Sequence, residues 1–390
     1  MSDVVDVLAE LVASPSVTPN RRATFSDPYG EIRVAQWLER RLSALGGDVQ
    51  LTEVSPGRPN LVALFPGRDH GHSLMMEAHA DTVQVDDMTI PPFDPVQKNG
   101  RLYGRGACDT KGSMAAMFVA VELAVQGGRQ PPVDLYFVST CDEEISASGA
   151  RALMRSGFRP SAAVVGEPTD LCVCHAHKGV LHWDLEIHGE PAHSSMPERG
   201  VSAIYPMAEI VRVIETNMQD RLRARTHALL GSPTVSVGVI EGGTQANIVP
   251  SFCRVIIDRR LVPGEGVDTA TAELQTLVDE AMLQYPRARA LLKTTENYPP
   301  LETPVDSGVA QLSFDACQKI LGKSEFVVAP WASNAGVFAE AGVPSVLFGP
   351  GSIRQAHTAD EFIELASLRS AVDVFADMIA RSGDARYWRP

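Results

Sequence analysis

Five side chains with an affinity for metal ions are spread along this chain: His79, Asp109, Glu144, Glu167 and His357. Each lies in a short stretch that runs from strand into loop. His79 ends the apolar run Met75-Met76-Glu77-Ala78, and Asp109 closes the glycine-rich turn Gly104-Arg105-Gly106-Ala107-Cys108. Glu143-Glu144 follow the strand-like Val133 to Val138. Glu167 ends Ala162 to Gly166, and His357 follows the turn Gly349-Pro350-Gly351. Two imidazoles and several carboxylates are the ligand set of a catalytic zinc pair, in which one carboxylate bridges and an open position holds water. The chemistry implied is metal-dependent hydrolysis.

Spacing suggests a role for each. His79 and Asp81 are two residues apart, so on an extended backbone they point the same way. Asp81 is then expected to accept the hydrogen bond of the ring nitrogen that faces away from the metal. Asp109 offers two oxygens, which suits bridging. Two adjacent acids ending a buried strand are costly unless compensated. Consecutive side chains diverge, so Glu144 can bind metal while Glu143 faces the water that attacks, as a general base. Taken singly, these residues read equally as a surface histidine, a turn aspartate and helix-start acids. Their joint order carries the argument.

The elements that must position them alternate. Helices are expected over 3–13, capped by Ser2, and over 31–45, stopped by Gly46-Gly47. Strands are expected over 60–65, 73–78 and 133–139, with a helix over 114–125 between them. That alternation predicts an α/β fold with helices around a mostly parallel sheet, where function collects at the carboxyl ends of strands. From Gly179 the pattern changes to strand (181–188), helix (201–217), two strands (234–240, 251–260) and helix (267–283), a compact α+β module. After Pro299-Pro300 the first pattern returns. Glu167 and His357 lie on either side of the module, so it is expected as an insertion. The expected boundaries are 1–178 and 294–390 for the catalytic domain and 179–293 for the insert.

Bulk properties narrow the classes. The 390 residues are 44% hydrophobic and 21% charged, with a formal net charge of −14. Such an acidic chain lacks the basic surface that nucleic acid requires. Six cysteines without paired spacing, including Cys172-Val173-Cys174 on one apolar strand face, read as small core residues. With no signal-like segment and no apolar run of membrane-spanning length, a reducing cytoplasm is expected. No Gly-x-Ser-x-Gly elbow occurs, which disfavours an α/β serine hydrolase. The Gly104–Gly112 loop lacks the ending of a phosphate loop.

Six motifs together carry a resemblance: His79-Ala80-Asp81, Gly104 to Gly112, Asp142-Glu143-Glu144, Gly166-Glu167-Pro168-Thr169, Ala192-His193-Ser194-Ser195 and Ala356-His357-Thr358-Ala359-Asp360-Glu361. Over nearly its whole length the chain resembles the di-zinc aminoacylase and glutamate carboxypeptidase family, which includes acetylornithine deacetylase and succinyl-diaminopimelate desuccinylase. The resemblance implies a zinc-peptidase-like catalytic domain with an inserted α+β dimerisation lid. It implies two zinc ions per subunit, with cobalt as a possible substitute: His79, Asp109 and Glu167 on one, and Asp109, Glu144 and His357 on the other. It further implies Glu143 as base, Asp81 as orienter of His79, and a cis peptide after Asp109. His193 would reach the partner subunit's site in a homodimer and stabilise the oxyanion. Asn247 and Arg260 would hold the substrate, Arg260 by a carboxylate fork.

The stretch Gly349 to His357, with Gly351 as a substrate-binding position, is most like the acetylornithine deacetylases. Many of those carry an acid where this chain has Asn334, so an ammonium side chain would lose its partner there. Substrates with neutral side chains are therefore expected, unless Asp360 or Glu361 replaces the charge. The expected reaction is hydrolysis of an N-acyl amino acid. A carboxypeptidase or dipeptidase is the alternative within the same chemistry, and a non-catalytic homologue the alternative outside it.

Overall fold

The structure, a computed structural model, describes residues 2–19 and 28–389. The chain divides into two compact units. One comprises residues 1–176, 302–328 and 333–390, the other residues 177–301 and 329–332.

The larger unit is built on a nine-stranded sheet. Its centre runs Val133–Thr140, Asp69–His79, Ala162–Val165, Ser345–Leu347, each parallel to the next. The outer strands are antiparallel: Asp48–Ser55 pairs Arg58–Phe65, which pairs Val133–Thr140, and Val173–His177 lies beside Ser345–Leu347. The parallel character expected from the sequence therefore belongs to the middle of a mixed sheet. The reason is connection length. Only the turn at Pro56-Gly57 joins the first two strands, and so tight a link forces an antiparallel pair.

Helix Lys111–Val125 is buried on all sides through Val121, between the sheet and helices Val4–Val12 and Leu365–Arg381. An apolar stripe is absent because no face of this helix meets water. It begins three residues earlier than its apolar pattern suggests. The first helix is capped by Asp3, whose carboxylate accepts from Val5 N at 2.9 Å, and not by Ser2.

The smaller unit is an antiparallel sheet ordered Thr234–Gly242, Phe252–Leu261, Gly179–His188, Arg289–Tyr298. Helices Ile204–Val213 and Val267–Met282 supply its core, with Trp183, Leu185, Ile210 and Leu274 fully buried. The expected end of the module at 293 falls inside Arg289–Tyr298. That strand has weak alternation in sequence, but it pairs with Gly179–His188 and carries the boundary to 301. Among the described residues no helix is long and apolar enough to cross a membrane.

Within this sheet His182 stands directly across from Asp258 on one side and Glu296 on the other. Its ring nitrogens lie 2.8 Å and 2.6 Å from their carboxylates. The hydrogen bonds to Asp258 and Glu296 push the imidazole up to about 9. A raised folded-state value stabilises fully below the unfolded pKa, near 6.5, and is lost as pH rises through about 9. His182→Gln should therefore lower stability by roughly 1 kcal/mol at pH 6, a figure discounted for partial exposure. Denaturant unfolding at pH 6 and pH 9.5 should show the gap to wild type shrinking at the higher pH.

Candidate metal centre

The parallel strands bring their carboxyl-terminal ends to one edge, and the expected ligands follow there. His79 is the last residue of its strand and is 2% exposed. Its Nε2 lies 3.1 Å from Asp109 Oδ1. Its Nδ1 lies 3.0 Å from the main-chain carbonyl of Asp81, whereas the Asp81 carboxylate is 3.6 Å away. The carbonyl is the nearer partner of the ring, with the expected Asp81 carboxylate beside it. An Nδ1–H donated there leaves the Nε2 lone pair for a metal.

The Asp81 carboxylate has another task. One oxygen accepts from Glu143 N at 2.9 Å and the other from Glu144 N at 3.0 Å. This buried acid fixes the turn from which the proposed base and a ligand diverge. Arg58 holds the same turn from behind. Its Nη1 is 2.5 Å from Asp142 Oδ1, and its Nε lies 3.0 and 2.9 Å from the two oxygens of Glu31. Ser146 and Ser148 donate to the second Asp142 oxygen.

Asp109 stands on a loop shaped by Glu361. One Glu361 oxygen accepts from Cys108 N at 2.8 Å and Asp109 N at 3.0 Å. The other accepts from Gly106 N at 3.0 Å and Arg105 Nη1 at 2.8 Å. Gly106 has φ +82°, and a Cβ there would fall 2.8 Å from the Thr82 methyl, so no larger residue fits. The Asp109–Thr110 peptide is cis.

The two Asp109 oxygens face two imidazoles, His79 through Oδ1 and His357 through Oδ2 at 3.3 Å. His357 Nε2 also lies 3.1 Å from Glu144 Oε2. Two triads result, His79–Asp109–Glu167 and Asp109–Glu144–His357, and within each the ligand atoms lie within 4.8 Å of one another. Both are the sets expected from the sequence, and they share Asp109.

The electrostatics call for cations. Burial pushes the carboxyls of Glu143 and Glu167 well above their usual range, and the neighbouring acids add to it. Burial and Asp109 raise Glu144 as well. The carboxylates of Asp109 and Glu144 push His357 up to about 11. Buried acids in this number cannot all ionise without positive charge between them. Glu144 Oε1 is buried with no hydrogen-bond partner, an atom a metal would satisfy. The residues fit a pair of cations.

Other expected residues fall elsewhere. Asn334 is 1% exposed, and its amide donates to Glu77 Oε1 at 3.0 Å and Thr140 Oγ1 at 2.9 Å. Its amide is committed to these two partners, so it gives no ground for excluding an ammonium side chain. Glu361 is equally committed, to the Asp109 loop. Gly351 has φ +84°, and a Cβ would meet Cys108 Sγ at 2.6 Å, so it lets the segment before His357 close on the Asp109 loop.

In the smaller unit His193 and Asn247 sit together, with Ser194 N donating to Asn247 O at 3.0 Å. His193 is exposed, and its Nδ1 accepts from Ser195 N at 3.2 Å, which places the proton of a neutral ring on Nε2. The Arg260 fork is already occupied: Nε and Nη2 each lie 2.9 Å from Asp258.

Residues 75–381 match the model of peptidase family M20/M25/M40. The chain belongs to this family. It is a hydrolytic enzyme of a metal-dependent family. It is 32% identical to acetylornithine deacetylase of Proteus mirabilis, over 96% of this chain and 95% of the relative. It is 31% identical to acetylornithine deacetylase of Myxococcus xanthus, over 97% and 98%. Its fold is that of a tripeptidase from Staphylococcus aureus, with a TM-score of 0.79 at 22% identity, covering 97% of this chain and 98% of the other.

Glu361 lies within one of the six motifs with no local sign of this role, and Arg58 and Glu31 carry no sequence signal for theirs. Glu361→Gln keeps the shape but turns an amide N–H₂ toward backbone donors, at a cost of roughly 1–3 kcal/mol. Because Asp109 serves both triads, this variant should lose both metals on dialysis where wild type retains them, measured by elemental analysis.

Proposed function

We propose that this enzyme hydrolyses the amide bond of N-acyl-L-amino acids, releasing the amino acid and a carboxylate. The observation that carries the reading is that Glu143 belongs to neither triad yet sits among them, with one oxygen 3.9 Å from His79 Nε2. Zinc ions, or cobalt in their place, held by His79, Asp109 and Glu167 and by Asp109, Glu144 and His357, would polarise the amide carbonyl and acidify the attacking water.

Glu143 takes the proton from that water as its oxygen bonds to the carbonyl carbon. It then delivers the proton to the departing nitrogen as the C–N bond breaks. Burial raises the Glu143 carboxyl above its usual range, which makes its carboxylate the stronger proton acceptor. Asp81 keeps the carboxylate aimed by gripping its main-chain N–H. The acyl amino acid class is supported by the deacetylases among the relatives.

His193 is assigned to the oxyanion, since its free Nε2–H is a donor. Arg260 would take the substrate α-carboxylate in exchange for Asp258, with Asn247 beside His193 as a further contact. A homodimer is the proposed form, with His193 acting in the partner's site. Support comes from strand Thr234–Gly242, an edge strand with Ile240 60% exposed. Six unpaired cysteines favour a reducing cytoplasm.

Turnover of N-acetyl and N-succinyl amino acids, with zinc or cobalt supplied, tests the reaction; hydrolysis of dipeptides alone would replace it with a peptidase. Glu143→Ala should keep its metals and lose turnover by about 10³-fold or more. Near-normal kcat in that variant would show another base. Mixed with inactive His193→Ala subunits, Glu143→Ala subunits should recover part of the activity. No recovery despite demonstrated subunit exchange would place His193 in its own subunit's site.

A further inference from the structure

Glu77 is a carboxylate that neither triad uses. It lies two residues before His79 on the same strand, so both side chains share a face, and it is 0% exposed. Its Oε1 accepts from Thr140 Oγ1 at 2.6 Å and Asn334 Nδ2 at 3.0 Å, while Oε2 is buried with no hydrogen-bond partner. Among the described residues no arginine or lysine pairs with it. The cluster is tied to the metal ligands through the backbone on both sides. Thr140 stands opposite His79 in the parallel ladder, and Gly166 N, next to Glu167, donates to Glu77 O at 2.7 Å. Burial raises the Glu77 carboxyl, while the Thr140 and Asn334 hydrogen bonds and nearby His79 oppose that rise. A carboxylate with a bare oxygen is therefore tolerated here only where positive charge lies near. A glutamine would fill the same volume and keep the contact with Thr140.

We propose that Glu77 is a non-ligand acid of the metal centre. It touches neither cation nor substrate, and its negative charge, held behind His79 and Glu167 by Thr140 and Asn334, tightens cation binding. The inference rests on the reading of the two triads as cation sites. Supporting partners behind metal ligands commonly change affinity by about 10–100-fold.

The test uses the full-length protein and measures zinc and cobalt(II) affinity by competition with a chelator, together with the cobalt absorption spectrum and the melting temperature of the metal-free protein. Glu77→Gln should bind both cations about 10-fold more weakly or worse. Its cobalt spectrum should be that of wild type, and the metal-free protein should melt no lower. The double variant Glu77→Gln/Asn334→Asp, which returns a carboxylate to the same cluster from the neighbouring helix, should regain most of the affinity. Affinity of Glu77→Gln within twofold of wild type overturns the inference, as does an altered cobalt spectrum, which would make Glu77 a matter of shape. Should Glu77→Gln not fold, the double variant is measured in its place, with tight binding supporting the charge-based account and weak binding overturning it. Failure of wild type to bind either cation would instead overturn the reading of the triads themselves.

Discussion

Everything around the centre answers to one constraint: Asp81, Asp109, Glu143, Glu144 and Glu167 are held together out of water. Acids so placed repel one another and resist ionisation, as the raised values of the three glutamates show. A fold can tolerate this only if each carboxylate is aimed at something positive. Two imidazoles face Asp109, and backbone N–H groups face Asp81. The remaining demand falls on cations. Metal affinity is thus inherent in the burial pattern, and the ligands need little adjustment to meet it.

Topology makes such a concentration possible. Parallel strands end at the same edge, so residues far apart in sequence arrive together: His79, the Glu143-Glu144 turn and Glu167 each follow a strand of the parallel centre. Antiparallel neighbours would have sent alternate ends to opposite edges. The outer strands, which carry no ligand, are free to be antiparallel hairpin partners. The smaller unit interrupts the chain after Glu167 and returns it before Ser345–Leu347, which lies parallel to Ala162–Val165. An insertion there leaves the edge intact.

What could be read from sequence follows from these facts. The ligands were legible because His, Asp and Glu are conspicuous at the ends of apolar runs, and a strand end is visible as the place where such a run stops. The α/β alternation was legible for the same reason. The supporting contacts were not, because they join residues that local pattern does not connect. Arg58 opens a strand and Glu31 precedes a helix, and both look like surface charges until 84 residues of chain fold Asp142 onto Arg58. Asn334 was expected in the pocket because many of the similar deacetylases carry an acid there; only packing shows the amide turned inward to Glu77. Arg260 carried the right chemistry for a carboxylate, and Asp258, two residues earlier on the same strand face, takes that fork first. Strand Arg289–Tyr298 was hidden because its side chains alternate too weakly for period alone to reveal it.

The division of labour around His79 and Asp81 shows how such a centre gains precision. A carboxylate behind the imidazole would have oriented one ligand. A main-chain carbonyl does that equally well, because the strand end already fixes its direction. The Asp81 carboxylate, beside the ring, also reaches across to the next strand's exit and takes two consecutive N–H groups. Glu143 and Glu144 lie in a turn, so holding both N–H groups fixes the backbone from which the two side chains leave. One acid thus holds both residues.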